Sequence, residues 1–60
     1  MKNFTNYIAI DKHDKVRQIF NTHDIDFLAD YNKAIRLGWK IIKGEQNEGY
    51  VGLMKRLNLR

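Results

Sequence analysis

One segment of this sequence keeps a helical period over three turns and carries its own start and stop signals, which limits what the remaining residues can build. Phe27, Leu28, Tyr31, Ala34 and Ile35 recur at intervals of three and four. Wound at about 3.6 residues per turn they form one apolar stripe, with Asp26, Asp30, Lys33 and Arg36 on the opposite side. Thr22 or Asp24 is suited to cap the first amides. Asp24 and Asp26 place negative charge at the N-terminal end, and Lys33 and Arg36 place positive charge at the other, as the helix dipole favours. Gly38 is the stop, because a residue without a Cβ takes the left-handed conformation that folds Trp39 back onto the last turn. The spacing predicts a helix over about residues 24–37, with Leu28 and Ile35 in the core.

The flanking segments alternate instead. Phe4, Ile8 and Ile10 share one parity and Tyr7 and Ala9 the other, and the polar cluster Asp11-Lys12-His13-Asp14 follows as a turn. Lys15–Phe20 alternates again, Val16, Gln18 and Phe20 against Arg17 and Ile19, so the pair reads as a β-hairpin. Trp39–Lys43 and Tyr50 to about Arg56 are two further β-like runs around the polar stretch Gly44–Gly49, which predicts a second hairpin. Leu53, Met54 and Leu57 also fit a helical spacing and Asn58–Arg60 suits a fraying end, so residues 53–60 stay open between strand, helix and disorder. The expected architecture is α+β: a single ββαββ domain over residues 1–60, an antiparallel sheet with the amphipathic helix packed on one face.

That architecture has a consequence for surfaces. One parity collects Phe4, Ile8, Ile10, Val16, Phe20, Ile42, Val51, Leu53 and Leu57, which suits the face under the helix. The other collects Tyr7, Ala9, Ile19, Trp39, Ile41, Tyr50 and Met54, interspersed with Arg17, Lys43 and Arg56. One helix cannot cover both faces. A large uncovered apolar face is uncommon on a monomer, so the pattern predicts a homo-oligomer, a dimer being the commonest closed form.

Sixty residues without Cys or Pro leave few other sources of stability. A chain of this size buries only about 60% of its unfolded surface. No disulfide or thiolate metal cage can be built, and two His are too few for a structural zinc site. The longest uninterrupted apolar run, Tyr7–Ile10, is far short of the roughly 20 residues that span a bilayer, so no membrane role is expected and a cytoplasmic location is. Asn, Ile and Lys supply twenty of the sixty residues. Their codons are rich in A and T, which hints at a phage or mobile element of a low-GC bacterium and hence at a host cytoplasm.

Catalysis finds little support. Asp11, His13, Asp14 and His23, Asp24, Asp26 are types that ligate metals or move protons, but turn hydrogen bonds and a helix cap account for them, and neither a metal site nor a cofactor is expected. Gly44, Gly49 and Gly52 match no phosphate-loop spacing, and with neither Ser nor Cys no triad can form. The net charge of +4 is more informative. Residues 39–60 hold Lys40, Lys43, Lys55, Arg56 and Arg60 against only Glu45 and Glu48. Trp39 and Tyr50 with Arg17, Lys43 and Arg56 form the candidate partner-binding set. Trp, Tyr and Arg are enriched at protein interfaces, so the leading expectation is a non-catalytic protein that associates with itself and binds, and thereby inhibits, a partner protein. Aromatics interleaved with cations also suit nucleic acid, so a nucleic-acid-binding regulator is the alternative.

Overall fold

The computed structural model describes residues 3–59 and has the element order β1 (Asn6–Ile10), β2 (Val16–Asn21), α1 (Phe27–Arg36), β3 (Lys40–Lys43) and α2 (Tyr50–Arg56). Arg60, counted above with the basic tail, lies outside the described residues. The fold is α+β as expected, but the order is ββαβα. Tyr50–Arg56 is a helix, so the second hairpin does not form.

The strands form one antiparallel sheet in the order β2-β1-β3. The first hairpin forms where the alternation places it. The Asp11 and Lys15 backbones close its turn, and Asp14 sits there at φ 61°. In the β1–β2 ladder Ala9 pairs with Gln18 but Ile10 with Val16, so Arg17 is an extra, bulged residue. The bulge reverses the strand's parity. Val16 therefore packs with Ile8 and Ile10, whereas Phe20 packs on the opposite face with Ala9.

Each face has its own helix. Ala34 of α1 joins Ala9 and Phe20, flanked by Tyr7, Phe27, Tyr31, Trp39 and Ile41. Leu53 of α2 joins Ile8 and Ile10, flanked by Val16, Ile42, Met54, Leu57 and Leu59. Neighbouring residues of one strand point to opposite faces, so β1 is sandwiched between two clusters. The first helix thus covers the face carrying Tyr7, Ala9 and Ile41, the reverse of the expectation. The face whose exposure argued for a dimer is therefore covered by α1, and the Ile8 and Ile10 face is covered by α2.

The first helix is shorter than residues 24–37 and rotated from its predicted setting. Its buried side is Phe27, Tyr31 and Ala34, while Leu28 and Ile35 are 71% and 56% exposed. Neither Thr22 nor Asp24 caps it. Asp26 occupies the N-cap position without a side-chain bond; the Thr22 hydroxyl accepts from the Thr5 N–H (3.1 Å) and the Asp24 carboxylate from the Asn21 N–H (2.9 Å). At the other end Gly38, at φ 76°, donates to the Ile35 carbonyl and Trp39 to that of Ala34, the paired bonds of a glycine-capped helix. The second helix ends the same way with Asn58, at φ 58°, donating to Lys55 and Leu59 to Met54.

Gly44 stands where β3 leaves the sheet. A Cβ there would lie 2.9 Å from both the Asn6 carbonyl oxygen and Leu53 Cδ2. The loop that follows is tied to the start of β1: Asn47 N–H donates to the Phe4 carbonyl (2.7 Å), Phe4 N–H to the Asn47 side chain (2.9 Å), and the buried Asn6 amide to the Glu48 carbonyl (2.9 Å). No helix among the described residues is long and apolar enough to cross a membrane.

Candidate partner-binding site

The register sets which residues share an end of the sheet. Lys40 opens β3 opposite Ile10, the last residue of β1, and the turn carrying Lys12 and Lys15 follows directly. The last turn of α1, with Lys33 and Arg36, arrives at this end through Gly38 and Trp39. So does the last turn of α2, with Lys55, because Leu57, Asn58 and Leu59 flank an open depression of about 480 Å³ together with His13, Asp14 and Lys15. With Arg17, seven exposed cations lie at the end of the sheet where the two helices stop on opposite faces, in the company of Asp11 and Asp14, and the helix dipoles favour those in the last turns, Lys33, Arg36 and Lys55. Asp24, Asp26, Glu45 and Glu48 lie toward the other end, in the loops that precede the two helices.

Arg17 and Trp39 are brought together at the cationic end. The guanidinium carbon lies 5.7 Å from the Trp39 ring centroid, a cation–π arrangement, and one guanidinium nitrogen is 3.7 Å from the Asp11 carboxylate. The bulge makes this possible, since strict alternation would turn Arg17 to the side of Ile19. The Asp11 carboxylate also accepts the Lys15 N–H (3.0 Å) and the His13 N–H (2.8 Å). The Lys15 bond contributes most to holding its pKa below the ordinary range, with the His13 bond and the Arg17 charge acting in the same direction.

The other three candidates lie elsewhere. Lys43 ends β3 opposite Tyr7, beside an open polar depression of about 390 Å³ that also touches Thr5, Thr22 and Glu45. Tyr50 is half exposed on the first turn of α2. Arg56 grips Glu48 with two bonds of 3.0 Å, latching α2 to the loop before it. That bidentate contact, then the Glu45 N–H, lowers the Glu48 pKa, and the same contact raises that of Arg56. The five residues therefore do not form one sheet face, because two of them belong to a helix on the opposite side.

The aromatic residues are mostly committed to packing. The Tyr7 ring stacks on Phe20 at 5.8 Å between centroids and meets Phe27 and Tyr31 at 5.2 and 6.0 Å. Trp39 is half-buried in the same cluster, with Arg17 near its ring. Among the described residues no group of three or more His, Asp or Glu gathers in a way that could hold a metal.

The outer edge of β3 was not singled out from sequence, because the expected fold paired it with residues 50–56. As α2 is helical, β3 pairs among the described residues with β1 alone, and its other side is a sheet edge there. The convergence of Lys12, Lys15, Lys33, Arg36, Lys40 and Lys55 was also missed. Its one sequence signal is the pair of basic last turns, whose shared destination is a tertiary property. No family model, curated protein or solved structure matches this chain.

Proposed function

We propose that this chain is a small non-catalytic binding protein that recognises an acidic protein partner through its cationic end and blocks that partner by occupying its surface. It acts in the cytoplasm, the host's if the A- and T-rich coding bias reflects a phage or mobile element. The observation that carries this reading is the placing of seven exposed cations at the end of the sheet where both helices stop, with Arg17 beside Trp39. Such a surface steers an acidic partner over long range and makes association depend on salt.

Nucleic acid is the second reading, favoured by the same cations. The packing of the aromatics weighs against it for single strands. Bases need open ring faces, whereas Tyr7 is enclosed by three rings, Trp39 has Arg17 beside its ring, and Tyr50 is on the other side of the sheet.

Self-association has a different support from the one expected. Ile25, just ahead of α1, is 98% exposed, and Leu28 and Ile35, seven residues apart on one flank of the helix, are also exposed. An antiparallel pair of two copies would set Asp30 and the N-terminal half of one helix toward Lys33 and Arg36 of the other, with the dipoles opposed. We therefore assign self-association to this flank of α1.

The test is affinity capture from a host lysate, with and without nuclease, using the parent chain and the variant K12E/K15E/K40E. A protein retained after nuclease by the parent and lost by the folded variant supports the reading. Retention by both removes the cationic end from recognition, and loss of all partners on nuclease treatment favours nucleic acid.

A further inference from the structure

We propose that the outer edge of β3 takes an extended acidic segment of the partner protein as a fourth, antiparallel strand. This deepens the protein-partner reading and rests on it. The Gly44 N–H donates to the Asn6 carbonyl at 2.8 Å, which makes 44 and 6 a hydrogen-bonded pair. Antiparallel ladders alternate, so Ile42 with Ile8 and Lys40 with Ile10 are bonded pairs too, and Ile41 and Lys43 turn their N–H and C=O groups outward. Nothing among the described residues pairs with that side. The opposite edge is less receptive, because β2 carries the Arg17 bulge and the Asn21 N–H is already bonded to the Asp24 carboxylate.

The side chains of β3 specify the occupant. Lys40 and Lys43 are exposed at its two ends, and Ile41 and Ile42 are half-buried between them, one on each face. A strand laid alongside meets cation, apolar, apolar, cation. Its complement reads acid, apolar, apolar, acid. A second copy complements the edge less well. Ile41 and Lys43 are the outward-bonding residues, so two β3 edges can pair antiparallel only with 41 or 43 opposite 41 or 43, and in those registers Lys40 meets Ile42, Gly44 or Gln46 and Lys43 meets Trp39, Ile41 or Lys43, never a carboxylate. The cationic end adjoins Lys40, so the surface that attracts an acidic chain lies where the edge begins.

The test is a titration of the isotope-labelled protein, followed by amide NMR, with a ten-residue peptide carrying a central Glu-Val-Ile-Glu. Three comparison probes are the same peptide with alternate central amides N-methylated, a peptide with central Lys-Val-Ile-Lys, and a ten-nucleotide thymidine oligomer. The acidic peptide should shift the amides of residues 40–43 and slow exchange of the Ile41 and Lys43 N–H groups. N-methylation, or the K40E/K43E substitution in a protein still folded by circular dichroism, should weaken binding about tenfold or more. Equal binding of the methylated and parent peptides overturns strand addition while leaving the protein-partner reading in place. Binding of the oligomer alone overturns both, and no binding by the acidic peptide at millimolar concentration overturns strand addition.

Discussion

The side of the sheet under α1 is packed with rings and the side under α2 with aliphatic chains, and the two helices hold their places differently. The first helix brings Phe27 and Tyr31 onto Tyr7 and Phe20, with ring centroids 5.2 to 6.3 Å apart. The second has only seven residues, with Gly52 inside it, and is far shorter than the roughly 12–15 that form a marginal helix alone. It is held by the fully buried Leu53 and by the Glu48–Arg56 latch. One side is kept by the shape of large side chains, the other by a point anchor and a charged clasp. They share β1, whose successive residues serve opposite clusters, so the contrast in chemistry need not mean independent stability.

The largest expected effects test that coupling. Phe20→Ala should cost about 3–5 kcal/mol and Leu53→Ala about 2–5 kcal/mol, each deleting a fully buried side chain from one cluster. Because β1 is common to both, Trp39 fluorescence and far-ultraviolet circular dichroism should follow one transition in each variant. Separate transitions for Leu53→Ala would make the α2 side an independent unit.

Gly44→Ala comes next, at about 1–3 kcal/mol, since the added methyl meets a backbone oxygen that cannot turn away. Thermal melts should show this loss, and an unchanged midpoint would mean that β3 and α2 do not approach as closely as described.

A milder effect comes from the latch. The Glu48 pKa is lowered, so its stabilisation is present above the ordinary carboxylate range and is lost as pH falls through the lowered value. Glu48→Gln should therefore melt below the parent near neutral pH, with the gap closing in acid. A gap constant with pH would assign the difference to packing instead. Smallest of all are Leu28→Ala and Ile35→Ala, both on the exposed flank of α1, each expected within about 0.5 kcal/mol of the parent. Light scattering on L28K should report loss of any dimer without loss of fold, which locates self-association on this flank.

What could be read from sequence was mostly local. The first hairpin, the existence of α1 and the folding back of Trp39 after Gly38 follow from turn residues, periodicity and a glycine within a few positions of one another. The Arg17 bulge leaves no such mark, yet it moves Phe20 to the other face and brings Arg17 to Trp39. Tyr50 and Val51 read as strand because aromatic and β-branched residues favour strands, and burial of Leu53 against Ile8 and Ile10 overrides that preference. Leu53, Met54 and Leu57 did carry the helical spacing, and Asn58 caps the α2 end as Gly38 caps that of α1. Of the five residues proposed as one surface, Arg17 and Trp39 lie together and Lys43, Tyr50 and Arg56 lie elsewhere, and the cationic end depends on both helices running the same way along β1.

The proposed docking edge exists because residues 50–56 do not pair with β3, so a proton NOE map of the free protein in solution tests the account most directly. Strong sequential amide–amide contacts through Tyr50–Arg56, contacts from Leu53 to Ile8 and Ile10, and no backbone contacts between residues 40–43 and 50–56 are the predicted result. Cross-strand Hα–Hα contacts between those two segments would contradict it, restoring the second hairpin and closing the edge on which strand addition depends.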